Sequence, residues 1–376
     1  MSRMKQLRIG IDIHSIGTQK GGNETYYREL IKEIIRFPCD HLFFLYYTNP
    51  QVAQQIAAGE HFSLKRLRPS HRILRIPFTL PWVVRNDQLD VFHAQFIVPP
   101  FLQCKAVATI PDIAYEHIPQ FFPAGERTWQ KLLVRKSAKR ADHIITVSEY
   151  SKRDIAHTYD VSPEKITVTY EGASGEFLPL DREKARQDLA RKYGIHSEFI
   201  LYLGRLQARK NLARVVEAYA NVRRSGLRHK LVLAGKQDSL FQPVLSRIRE
   251  LKLENDILLP GYVPAEDVPI FFNAADVFIY PSFYEGFGLP VMEAMACGTP
   301  VITSRNSSLE EVAGAGAVLV DPMDEGSIAD ALTRVLGDAE LRRQLGQAGL
   351  ARSHQFNFKN AAEQTIGVYE RVMDNA

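Results

Sequence analysis

Short apolar runs and amphipathic stretches alternate from one end of this 376-residue chain to the other, and no other feature constrains its fold as much. LRIGIDI at residues 7–13 reads as a buried strand, and ETYYRELIKEIIRF at 24–37 repeats its apolar residues at helical spacing. HLFFLYYT, DVFHAQF, AVATIP and HIITVS read as further strands, EYSKRDIAHTY as a helix, and KITVTYEG as a strand ending at Gly172. After a polar, proline-marked stretch at 175–182 the alternation restarts. DREKARQDLARKYG predicts a helix closed by Gly194, FILYLG a strand, and NLARVVEAYANV a helix with Asn211 as its N-cap. KLVLAG, DILLPG and DVFIYPS are strand-like, and residues 328–353 give late helices. Strand–helix repetition builds parallel sheets covered on both faces. The restart predicts an α/β protein of two doubly wound domains facing each other. Ligands of such sheets bind beyond the carboxyl ends of the strands, so the loops there are the ones to search.

Length and composition agree with two soluble domains, each with apolar material for its own core. Cys39, Cys104 and Cys297 are few, odd in number and far apart, which argues against a disulfide framework or a zinc site and for a reducing cytosol. The first residues carry no apolar run long enough for a secretion signal, since Asp12 and His14 interrupt it, and no window approaches ~20 apolar residues. The expected location is therefore cytoplasmic. Net charge is only +4, but residues 1–170 hold 23 Lys+Arg against 16 Asp+Glu, an excess of +7. The cations cluster at 64–78 and 131–140. Such clusters form either a solvated basic face or a surface for an anionic partner, such as acidic lipid headgroups or a phosphorylated acceptor. No nucleic-acid motif accompanies them.

SFYEGFGLPVMEAMACGTPVITS, at residues 282–304, holds the most informative loop. DVFIYPS ends there as a strand, Pro290 suits the first turn of a helix, and Gly298 closes it. Glu285 falls in the loop and Glu293 about one turn into the helix. Gly286 and Gly288 let the backbone approach a ligand, and the helix start favours an anion. Two carboxylates placed in sequence along one loop do not flank a bond as an acid and nucleophile would; they suit a polyol's hydroxyls. The same spacing also fits a plain strand–turn–helix with a capping Glu.

LYLGRLQARKNL supplies a second loop, in which Arg205, Arg209 and Lys210 precede a helix start. Guanidinium, ammonium and helix dipole together suit a diphosphate, although surface charge is the alternative. Gly21-Gly22 opens the first helix after the first strand, and Tyr262-Val263 follows the strand of LLPGYVP; each is either a ligand-facing turn or an ordinary one. The chain has no GxxxxGK[ST], no GxGxxG after the first strand and no GxSxG. With no Asp-x-Asp pair either, no metal site and no cofactor are expected, and any bound diphosphate must be neutralised by cations and helix ends.

In combination these segments resemble the glycosyltransferases of family 4, with the two-domain GT-B fold of facing Rossmann-like, doubly wound parallel sheets. The E-x7-E element from Glu285 to Glu293, GRLQARKN, IYPSFYEGFGLPVMEAMACGTPVI, TVSEYSKRDI and TYEGAS stand in the family's order. The resemblance implies an acceptor-binding domain at 1–174, a nucleotide-sugar-binding domain at 175–355, and a terminal helix at 356–376 crossing back to the first. It implies that Arg205 and Lys210 hold the donor diphosphate, that Glu293 bonds the ribose, and that Glu285 with Gly286, Phe287, Gly288 and Leu289 grips the donor sugar. Tyr262 and Val263 would lie beside the nucleobase, and Gly21 and Gly22 would approach the donor. Many relatives have His-Asp where this chain has Pro111-Asp112, and a proline cannot donate a hydrogen bond; His93 or His117 is the candidate replacement.

The expected activity is retaining, metal-independent transfer of a hexose from a UDP- or GDP-linked donor to a hydroxyl acceptor, lipid-linked or part of a growing polysaccharide. The basic first domain adds a peripheral contact with the inner membrane face. The competing classes are a GT-B epimerase or phosphorylase, and a non-catalytic sugar-nucleotide binder.

Overall fold

A computed structural model describes residues 6–18, 21–56, 59–238 and 241–374. The chain divides into two compact units, residues 1–171 with 358–376, and residues 172–357.

The first unit is a parallel sheet of β1 (Arg8–Asp12), β2 (Leu42–Tyr47), β3 (Phe62–Arg66), β4 (Val91–Gln95), β5 (Lys105–Thr109), β6 (His143–Thr146) and β7 (Ile166–Val168). Their order is β3-β2-β1-β4-β5-β6-β7. β1 pairs on both sides, Ile9 standing opposite Phe43 and Val91. The direction of winding therefore reverses between β1 and β4, the point where such sheets open a crevice. The helix Gly22–Arg36 forms because Tyr26, Tyr27, Leu30, Ile31 and Ile34 recur on one face and are buried. Gly21 precedes it at φ 82°, a backbone state that favours glycine. The terminal helix Phe358–Asp374 belongs to this unit: the Tyr369 hydroxyl lies 2.6 Å from His93 Nδ1, and Phe358 packs on Tyr26.

The second unit repeats the plan with β8 (Phe199–Leu203), β9 (Lys230–Ala234), β10 (Ile257–Gly261), β11 (Val277–Tyr280), β12 (Val301–Ser304) and β13 (Ala317–Val320), ordered β10-β9-β8-β11-β12-β13. Its reversal lies between β8 and β11. These central strands are buried on both faces, which is why they read as unbroken apolar runs. The helix Arg182–Tyr193 starts at Asp181, whose side chain accepts from Lys184 N–H, and ends at Gly194 in the left-handed region. Among the described residues no helix is long and apolar enough to cross a membrane.

One local expectation fails. Asn211 stands before the helix Leu212–Arg224, but its side chain caps nothing. It sits at φ 65° after a short 3-10 turn, a state asparagine tolerates, and its Nδ2 donates to the carbonyls of Pro281 (3.1 Å) and Pro322 (2.7 Å). Its side chain thus ties the β8 loop to the loops after β11 and β13.

Candidate functional site

The loops after β8 and β11 flank the reversal point of the second sheet, so topology brings together two segments about 75 residues apart. Lys210 leaves the β8 loop, and its ammonium donates to Glu285 Oε1 and to the Tyr280 hydroxyl at 2.5 Å. Its Nζ also lies 4.9 Å from the centroid of the Tyr280 ring. Arg209 Nη1 donates to Glu285 Oε2 at 3.3 Å and to the Tyr284 carbonyl at 3.2 Å. Tyr202, the neighbour across the two strands, stacks on Tyr280 with centroids 5.6 Å apart. The Lys210 and Glu285 side chains are 7% and 10% exposed.

Burial alone would push the Glu285 carboxyl up. The charges of Lys210 and Arg209 outweigh it and hold the group at about 2. Glu285 is thus a fixed anion, unsuited to proton transfer at neutral pH, and both its oxygens are engaged by cations. Glu293, in the helix Leu289–Ala296, is the opposite case. Burial, helped by the charge of Glu176, raises its carboxyl to about 8. Two carboxyls eight positions apart therefore differ in charge at neutral pH.

The loop between them is held from the next strand's end. Glu285 N–H donates to Ser307 Oγ at 3.2 Å, and Ser308 Oγ donates to the carbonyls of Glu285 (2.9 Å) and Phe287 (3.1 Å). Gly288 sits at φ 103°, and a Cβ there would lie 2.5 Å from Leu309 Cδ2. Gly286, Phe287, Gly288 and Leu289 are all buried. Arg205 is exposed at the start of the β8 loop and forms no ion pair among the described residues; its carbonyl accepts from the Tyr202 hydroxyl. Tyr262 and Val263 part company: Tyr262 projects into solvent and Val263 into the core.

Sequence reasoning placed Arg209 with Arg205 and Lys210 in a diphosphate cradle without foreseeing its contact with Glu285, and it missed Tyr280, Ser307 and Ser308. The signal for the serines was present: RNSSLE follows a strand, as the other site loops do.

In the first unit, nothing lies within 4 Å of where a Cβ on Gly22 would stand. Lys20, just before the pair, is outside the described residues. Asp112 Oδ1 accepts from Ala114 N–H at 3.0 Å, just ahead of the short helix Ala114–His117. His93 is enclosed: Nδ1 meets Tyr369 and Nε2 meets the Thr109 hydroxyl, each at 2.6 Å, and burial drives its basicity down to about 3. It has no ring nitrogen to offer a substrate. His117 Nε2 lies 2.7 Å from Asp154.

Glu198, His229 and Asp276 bring ligand-type atoms within 4.8 Å of one another. They stand at the amino ends of β8, β9 and β11, the edge opposite the site. Asp276 there accepts from Arg182, Arg186 and the Phe199 amide, so this group is an ion-paired clamp.

A pair of parallel Rossmann-like sheets, one carrying cations and a fixed carboxylate at its reversal point, defines the GT-B class of fold. Sucrose-phosphate synthase from Thermosynechococcus elongatus matches with a TM-score of 0.81 over 99% of this chain and 100% of that one, at 21% identity. Anabaena HepE, solved in complex with UDP and glucose, matches at 0.76 over 96% and 99%, at 16% identity. The family model for Glycosyltransferase Family 4 matches residues 20–175, and that for Glycosyl transferases group 1 matches 182–352. O-antigen chain mannosyltransferase B from Escherichia coli is 32% identical over 307 residues, 80% of this chain and 79% of that one. MMP alpha-(1->4)-mannosyltransferase from Mycolicibacterium hassiacum is 30% identical over 310 residues, 77% and 72% of the two chains. The chain belongs to glycosyltransferase family 4.

Proposed function

We propose that this chain transfers a hexose from a nucleoside-diphosphate sugar to a hydroxyl acceptor, with retention of the donor's anomeric configuration and without a metal ion. The observation that carries the reading is the convergence of Lys210, Arg209 and Glu285 at the reversal point of the second sheet. Two relatives are mannosyltransferases by name and a fold neighbour was solved with UDP and glucose, so mannose is the first sugar to test, on GDP and on UDP.

Bond breaking leaves negative charge on the diphosphate. Lys210 and Arg205 stabilise it, and Glu285 fixes the position of Lys210 and orients the sugar hydroxyls. The C1–O bond to the phosphate breaks on the face where the acceptor oxygen bonds. A phosphate oxygen takes the acceptor's proton, so the departing diphosphate is its own base and no protein carboxylate is required to titrate. Glu293 holds the ribose, and the backbone of Tyr262 and Val263 lies beside the base.

The acceptor proposed is a lipid-linked or growing polysaccharide, in line with the O-antigen relative, with the protein in the cytoplasm and in peripheral contact with the membrane. Thermal-shift screening against UDP, GDP and ADP sugars, followed by a transfer assay with EDTA present, tests the reading. Stabilisation by one sugar nucleotide and EDTA-resistant transfer support it. No stabilisation by any, or activity abolished by EDTA, overturns it.

A further inference from the structure

The segment of residues 72–86 is apolar on two sides. One side, with Leu80 and Val84, is buried in the core of the first unit. The other turns Leu74, Phe78 and Trp82, each four residues from the next, into solvent, with Ile73 beside them. Phe78 and Trp82 are each 67% exposed, and four of the twelve large apolar side chains exposed among the described residues lie in these fifteen positions. Solvated helices carry polar residues on the outward face, so this stripe lacks its partner.

Charge identifies the partner. Residues 61–86 contain no carboxylate and six cations, Lys65, Arg66, Arg68, Arg72, Arg75 and Arg85. Arg66, Arg68, Arg72 and Arg85 are exposed and form no ion pair among the described residues. Arg72 instead lies 4.2 Å from the Trp129 ring, which joins the stripe to the helix Ala124–Arg140. That helix exposes Leu132 and Leu133 together with Arg135, Lys136, Lys139 and Arg140. Lys139 pairs with Asp160 at 4.0 Å. Apolar tips among exposed cations, with tryptophan among the tips, match a bilayer interface of anionic lipid.

We infer that the Leu74–Phe78–Trp82 stripe inserts into the headgroup layer of an anionic bilayer while Arg66, Arg68, Arg72 and Arg85 pair with its phosphates. This deepens the peripheral contact proposed above by naming the surface that makes it. Each such cation strengthens partitioning by about fivefold, and salt screens the attraction.

The test is co-sedimentation of the full chain with phosphatidylcholine vesicles, with and without phosphatidylglycerol. In parallel, fluorescence of Trp129→Phe, which leaves Trp82 as the one tryptophan, reports insertion. Expected are binding to the anionic vesicles, a fall at high salt, and a blue shift of Trp82 emission. Phe78→Ser with Trp82→Ser, and separately Arg72→Glu with Arg85→Glu, should each lower partitioning at least tenfold. Nucleotide binding by calorimetry, unchanged in these variants, shows that they fold. No vesicle binding, equal binding to both vesicle types, or a soluble dimer dispersed by Phe78→Ser overturns the inference. Because vesicle binding is scored without turnover, its failure is distinguishable from failure of the sugar-transfer reading, which would appear as loss of nucleotide binding.

Discussion

Lys210 and Glu285 form a buried ion pair at the reversal point of the second sheet, the ammonium shared with the Tyr280 hydroxyl and the carboxylate shared with Arg209. Removing one member of a buried pair strands the other. Lys210→Ala should therefore lower stability by about 3–5 kcal/mol in denaturant unfolding. It should also lower turnover by about 10²-fold or more, the scale of one lost charge-stabilising donor. The double variant Lys210→Met, Glu285→Gln should recover much of the stability and none of the turnover. Recovery of both would show the pair to be structural alone.

Arg205 differs from Lys210 in kind. It is exposed, so Arg205→Ala should leave stability within about 0.5 kcal/mol of the parent. If its guanidinium meets the leaving diphosphate, turnover should nonetheless fall about 10²-fold. Wild-type turnover in the purified variant would remove Arg205 from the mechanism.

The strands and the two-unit plan were legible because a parallel strand buried on both faces must be apolar throughout, as FILYL and VFIY are. The loops could be singled out by the same logic, since each follows such a strand. What the residues could not tell is which loops meet. Lys210 reaches Glu285 only because β8 pairs directly with β11, a choice made by the winding order. For the same reason Asn211 read as a cap although its amide serves two distant carbonyls, and the contacts of Arg209 and Lys210 with Glu285 could not be read from the loop that carries them. His93 read as a candidate donor because the terminal helix, whose Tyr369 occupies it, lies 276 residues away.

Gly288 gives a prediction on the loop itself. Gly288→Ala meets two obstacles, a φ of 103° and the Leu309 methyl 2.5 Å from the new Cβ. Backbone strain of this kind costs about 1–3 kcal/mol. Leu309→Ala in the same chain should relieve the clash and leave the strain, so a double-mutant cycle should give a favourable coupling. Additive losses would mean that the backbone has shifted.

Glu293 and His93 set opposite limits on the pH range of stability. The folded protein holds Glu293's proton up to about 8, against an ordinary 4.5. Its contribution is full below 4.5 and is lost as pH climbs through 8. His93 is held neutral down to about 3 against 6.5, so its contribution is full above 6.5 and is lost as pH falls toward 3. Thermal midpoints across pH should therefore decline on both sides. Glu293→Gln should flatten the alkaline limb, and His93→Gln the acid one. If Glu293 also holds the ribose, Glu293→Ala should weaken nucleotide binding by calorimetry while leaving Lys210 chemistry intact. An alkaline limb identical in Glu293→Gln and parent would mean that the carboxyl is already ionised in the ligand-free protein.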